Sequence, residues 1–221
     1  HEAQQIPVLW EKTGEGATLK RTPMRYDRVL ADVPCSGDGT MRKNVDVWKK
    51  WSPAQGLGLH KTQLMILSRA VELCEVGGVV VYSTCSMNPI ENEAVVAAGL
   101  GKFRHCLELE DTSSVCPTLI RHAGLHTWKV RDRKDKDKWY TPETVPDNLK
   151  QIYPPSCFPP ADAAELHLER CVRIYPHDQD TGGFFICKLR KTADHMPAKK
   201  VAPETPAATA ATEAAPAAAA A

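Results

Sequence analysis

The chain has 221 residues and a formal charge of +1, from 28 basic and 27 acidic side chains. That length suits one domain with a real core, and the charge balance excludes a global polycation, so any nucleic acid must be held by local patches. Eight cysteines without a CxxC pair speak against a disulfide scaffold or a zinc site and fit a reducing intracellular compartment. No run approaches the ~18 apolar residues of a membrane span, and no signal-peptide apolar region opens the chain.

In chain order, residues 1–25 are uneven: His1-Glu2-Ala3, then a polar segment with Gly14 and Gly16 that reads as loop. Tyr26 to Val33 predicts the first strand. It runs into Pro34-Cys35-Ser36-Gly37-Asp38-Gly39, where proline and two glycines rule out helix and predict a tight, exposed loop. Ser52-Pro53 opens a helix, serine as cap and proline at the first helical position. Leu64, Leu67, Val71 and Cys74 fall on one face, and Gly77-Gly78 is expected to end it. Val79-Val80-Val81-Tyr82 predicts a short buried strand through Thr84, after which Cys85 stands among small polar residues. Asn88, Pro89 and Glu91 match a capping box, predicting a helix from residue 89.

This order is a βαβα unit, so the two strands should lie parallel with their carboxyl ends on one rim. Cys35 and Cys85 should therefore face one crevice, where open α/β sheets place their chemistry. A helix amino end next to Cys85 would favour its thiolate. Asp32, at a strand end where an apolar residue is expected, reads either as a cap for the adjacent loop or as a carboxyl group handling protons beside Cys35.

Farther on, Thr127–Val130 and Lys138–Thr141 look like two strands of a hairpin (insertion 126–141) around a charged tip. Its alternating charges read as a self-neutralising tip ahead of a phosphate-binding patch. Six prolines between Pro142 and Pro160 argue for loop, Glu165–Leu168 for a short helix, and Arg170–Tyr175 and Gly182–Leu189 for two closing strands. Residues 1–191 are thus expected to form one folded domain. Residues 192–221, an Ala/Pro-rich tail, have nothing to bury and are expected to be disordered or transiently helical.

Asp32-Val33-Pro34-Cys35-Ser36-Gly37, then Thr84-Cys85-Ser86 with Asn88-Pro89-Ile90-Glu91-Asn92-Glu93, resemble the paired motifs of NSUN-type RNA cytosine-5 methyltransferases. Gly37–Asn44 with Trp48-Lys49-Lys50-Trp51 resembles the eukaryotic tRNA-modifying branch, and Pro176-His177 with Thr181–Phe185 matches the family's last strand motif. The resemblance implies an α/β fold, the carboxyl-terminal part of a Rossmann-like methyltransferase sheet, and S-adenosylmethionine as methyl donor. It implies Cys85 as the nucleophile that adds to cytosine C6 so that C5 can take a methyl group, and Cys35 as the residue assisting release. Asp32 would hold the base's N3 and amino edge and help position the donor, while Glu2 would meet the donor's adenine. Arg42, Lys43, Lys49 and Lys50, behind the Cys35 loop, are the expected RNA contacts, with tRNA as the RNA, no metal, and a nuclear, nucleolar or cytoplasmic location.

One departure is large. The glycine-rich strand-turn-helix that holds the donor in this class does not occur in the sequence, and the glycines at 14/16 and 37/39 have the wrong flanks. The chain is therefore expected to begin in mid-domain, about three strands short, with one sheet edge uncovered and weak donor binding. The alternative reading is a truncated, inactive RNA-binding module. A thiol hydrolase is disfavoured because no histidine is tied by sequence to the cysteine's turn.

Overall fold

The computed structural model describes residues 2–13 and 20–195; most of the Ala/Pro-rich tail lies outside them, as does the Gly14–Gly16 segment. Strands β1 (Trp10–Thr13) and β2 (Lys20–Pro23) pair antiparallel, Trp10 opposite Pro23, so the expected early loop contains a hairpin. Glu2 does not end a strand. It leads a 3₁₀ turn at Ala3–Gln5, and its carboxylate accepts the side-chain amides of Gln4 and Gln5 at 2.6 and 3.1 Å.

Strand β3 (Tyr26–Asp32) is followed by helices α1 (Val45–Lys50) and α2 (Pro53–Leu73), strand β4 (Cys74–Thr84) and helix α3 (Glu93–Lys102). The short strands β5 (Leu107–Leu109), β6 (His122–Ala123), β7 (Val130–Arg131), β8 (Trp139–Tyr140) and β9 (Val172–Ile174) precede β10 (Phe184–Lys191). The main sheet runs β3-β4-β10-β9-β6, with β5 beside the far end of β10. As expected of a mixed α/β sheet with a crossover, β3 and β4 are parallel, Asp32 opposite Ser83; every other pair in the sheet is antiparallel. Among the described residues β3 pairs on one side only, and Leu30 is exposed on it.

Two expected helix boundaries move. Helix α2 stops at Leu73, short of the glycines, because Cys74 pairs with Tyr26 while Arg28 pairs with Val79. Residues 75–78 bulge out of the ladder, and Gly77 takes the positive φ of +83° there. The last helix begins at Glu93 rather than 89, because Glu91 is turned inward and buried instead of capping.

α2 and α3 pack against the sheet through Leu67, Val71, Val80, Val95 and Val96, joined by Tyr82, Phe185 and Leu189. A second cluster collects Ile90, Val130, Tyr140, Val145, Tyr153 and Phe158 beneath the β7–β8 hairpin; Trp128 touches both. The expected Glu165–Leu168 helix is two 3₁₀ turns, Ala163–Leu166 and Leu168–Arg170. No described helix is long and apolar enough to cross a membrane.

Candidate active site

The parallel β3–β4 pair delivers both loops to the same rim, because strands linked by a crossover end on the same side. Val33 N continues the ladder to Ser83 O at 3.1 Å. Two residues beyond Val33 and one beyond β4, Cys35 Sγ and Cys85 Sγ lie 3.1 Å apart, although 50 residues separate them in sequence.

The loops are locked at backbone level. Gly39 N donates to Cys85 O at 2.9 Å, and Gly183 N donates to Gly39 O at 2.7 Å. A β-carbon on Gly39 would stand 2.5 Å from Gly183 O and 2.7 Å from Cys85 O. Three chain segments therefore cross at a point only glycine fits. Asp38 Oδ1 accepts Met87 N at 2.7 Å, and burial pushes the Asp38 carboxyl above its ordinary range against that bond.

Beneath the loops sits Glu91, fully buried. It accepts Ser36 N (2.8 Å), Ser36 Oγ (2.6 Å), Ser86 Oγ (2.8 Å) and Gln63 Nε2 (3.1 Å). Trp51 Nε1 donates to the same Ser36 hydroxyl at 3.0 Å. A buried carboxylate is tolerated only when its oxygens are so occupied, and here it ties the Cys35 loop, the Cys85 loop and α2 together. Sequence reading missed this role of Glu91, having assigned it to a cap. The signal available was its place six residues after Cys85, with Ser36 and Ser86 directly following the two cysteines.

The sulfur pair sets the electrostatics. The Cys35 thiol, donating to the Cys85 sulfur, draws the Cys85 thiol down to about 7. Partial burial and the nearby Asp32 and Asp38 carboxylates push the other way. The same hydrogen bond, with burial and the neighbouring negative charge, pushes the Cys35 thiol up. The expected helix dipole is not involved, since α3 starts at Glu93, beyond the turns at residues 89–92.

Asp32 is exposed at the end of β3 and accepts Ser83 Oγ at 2.8 Å. It lines a cleft of about 120 Å³ with Ile6, Leu30, Pro34 and Arg69, well below the ~300 Å³ at which small-molecule clefts begin. Glu2 is exposed and is not among the residues lining that cleft. Together with the missing glycine-rich turn, these residues do not by themselves fit S-adenosylmethionine; they offer it one carboxylate and an apolar wall.

Of the expected RNA contacts, Lys43, Lys49 and Lys50 are exposed, and Lys50 faces Asp46 at 3.9 Å. Arg42 pairs with Asp180 and donates to Pro176 O at 2.9 Å, joining the Cys35 loop to the segment before β10. Trp48 projects from α1 between these lysines, 72% exposed. His60, the buried histidine nearest in sequence to the site, spends both ring nitrogens elsewhere, on Ile90 O (2.7 Å) and Ser156 Oγ (2.9 Å).

The chain is 44% identical over 209 residues to the multisite-specific tRNA:(cytosine-C(5))-methyltransferase of Saccharomyces cerevisiae, covering 94% of this chain and 29% of that protein. It is 43% identical over 197 residues to trm4b of Schizosaccharomyces pombe, a protein of the same description, covering 87% and 29%. With the tRNA (cytosine(34)-C(5))-methyltransferase of Drosophila melanogaster it shares 44% identity over 194 residues, 86% of this chain and 26% of that one. The chain thus spans less than a third of the length of these curated relatives. The resemblance to the eukaryotic tRNA-modifying branch is borne out. Residues 9–190 match the family model, and the chain belongs to the 16S rRNA methyltransferase RsmB/F family.

Proposed function

We propose that this chain carries the nucleophile and the base-holding half of an RNA cytosine-5 methyltransferase acting on tRNA. The observation that supports it most is the pair of sulfurs 3.1 Å apart, with the Cys85 thiol drawn down to about 7. A thiolate at neutral pH is what addition to a pyrimidine requires, since the thiol form is a poor nucleophile.

In the proposed sequence the Cys85 thiolate bonds to cytosine C6, and the displaced electron pair makes C5 nucleophilic. Asp32 faces N3 and the exocyclic amine, offsetting charge as the adduct forms. The methyl group for C5 would come from S-adenosylmethionine, to which this chain offers the Asp32 carboxylate and the apolar wall beside it. Release needs the C5 proton to leave and the electron pair of that C–H bond to expel the Cys85 thiolate. Cys35, beside Cys85, is proposed to assist this release: once its own proton has passed to solvent, its thiolate takes the C5 proton as the Cys85 thiolate leaves. A base must be unstacked to present C6 to a thiolate, so the target is a flipped or loop cytosine. Lys43, Lys49 and Lys50, with Arg42, are proposed to meet the flanking phosphates.

The small cleft at Asp32 favours a second reading, an RNA-binding module without catalysis. Covalent trapping with RNA carrying 5-azacytidine separates the two. Given S-adenosylmethionine, the wild-type chain is expected to form a denaturation-resistant adduct on the 5-azacytidine RNA, which has no C5 proton to lose, and Cys85→Ala to lose it; Cys35→Ala is expected to accumulate an adduct on RNA with ordinary cytosine, where that proton must leave. An adduct that survives Cys85→Ala would remove the nucleophile assignment, and no adduct in the wild type would leave the binding module.

A further inference from the structure

A second cleft, of about 300 Å³, opens at Asp38 and Met87, beside the turn that carries Cys85. Its walls include Trp51, Met87, Pro89, Lys129, Arg131 and Trp139. Met87 is two residues from Cys85, and its backbone is held from both sides, N to Asp38 Oδ1 at 2.7 Å and O from Arg173 Nη1 at 2.9 Å. Trp51 meanwhile donates to Ser36 beside Cys35. The same groups that fix the cysteine loops thus form one wall, and the β7–β8 hairpin forms the other.

The hairpin's charges are not self-neutralising in the way its sequence suggests. Asp132 is occupied by the backbone N–H groups of Lys134 and Asp135 and by the hydroxyls of Tyr140 and Tyr153; Asp135 accepts Asp137 N. Among the described residues no carboxylate pairs with Lys129 or Arg131. Arg131 instead donates its Nε to Lys136 O at 2.7 Å, leaving its two terminal nitrogens without a carboxylate, and lies 5.5 Å over the Trp139 ring, which is half exposed. An exposed aromatic face, an apolar floor and two unpaired cations, continuous with the nucleophile's turn, suit a base with its phosphate.

We propose that this cleft takes one unpaired nucleotide of the RNA substrate, next to the flipped cytosine, its base against Trp139 and its phosphate at Lys129 and Arg131. This rests on the reading of the chain as an RNA cytosine-5 methyltransferase. The test measures the affinity of the 221-residue chain for a fluorescent single-stranded RNA containing 5-azacytidine, then the yield of covalent adduct at saturating RNA. Trp139→Ala is expected to weaken binding about tenfold, in the range of lost base stacking, and to leave the saturated adduct yield unchanged. Trp139→Phe should recover most of the affinity, and Arg131→Gln should flatten the salt dependence of binding. Wild-type affinity in Trp139→Ala, with adduct formation intact, overturns the cleft alone. A wild-type chain that neither binds nor traps RNA overturns the proposed function, and the cleft with it.

Discussion

At 3.1 Å, Cys35 and Cys85 share a hydrogen bond in which one thiol stabilises the other's thiolate, so neither residue's reactivity is its own. Helix dipole and nearby cation, the usual means of activating a cysteine, are replaced here by a second cysteine. This gives a direct prediction. Alkylation of Cys85 by iodoacetamide, followed by mass spectrometry, should be half-maximal near pH 7 in the wild type, where its thiol is drawn down to about 7. In Cys35→Ala the midpoint should rise toward the ~8.5 of an ordinary cysteine. An unmoved midpoint would mean that the sulfur pair is not the cause. Both cysteines were legible in the sequence as residues ending β-runs. Their separation was not, because it depends on strand register and on Gly39, where three segments cross.

Elements meet at Arg173 on β9. Its guanidinium is bidentate to Glu93 at the start of α3, with 2% and 0% of the two side chains exposed, and its third nitrogen holds Met87 O. Burial pulls the Arg173 guanidinium down, but Glu93 outweighs it and the group is raised on balance. One strand, one helix and the Cys85 turn are thereby joined through a single side chain. Removing one partner strands a buried charge, so Arg173→Leu should cost about 3–5 kcal/mol. Urea unfolding measures this, and a loss under 1 kcal/mol would show that the network is dispensable. Sequence pattern located β9 and α3, but it mistook Glu91 for a capping residue and placed the helix start four residues early. Local periodicity cannot tell a carboxylate that caps from one that turns inward to serve two loops.

Across the whole molecule, His60 links α2 to the second hydrophobic cluster through Ile90 O and Ser156 Oγ. Burial lowers its pKa below the ordinary 6.5, despite the hydrogen bond its Nδ1 donates to Ile90 O and the charge of Glu91. A histidine depressed in the folded state contributes stability that is present above its unfolded pKa and lost as pH falls below it, because the unfolded chain then binds the extra proton. The melting temperature should therefore fall between pH 7 and pH 5, and His60→Gln should flatten that slope. Equal slopes in the two proteins would assign the acid sensitivity elsewhere. This linkage is invisible in sequence, where His60 is one of eight histidines with nothing to distinguish it.

Sequence alone determined the βαβα order, the parallel pair it implies, the two cysteines at strand ends and the family motifs around them. All of these follow from local periodicity and from the chirality of crossover connections. Only the tertiary structure decided where α2 ends and where α3 begins, because ladder pairing at Cys74 and burial of Glu91 override local capping signals. Only it brought the sulfurs into hydrogen-bond range, set Arg42 against Asp180, and put Arg131 over Trp139. Each of those depends on segments far apart in the chain, and long-range proximity is written in no single stretch of residues.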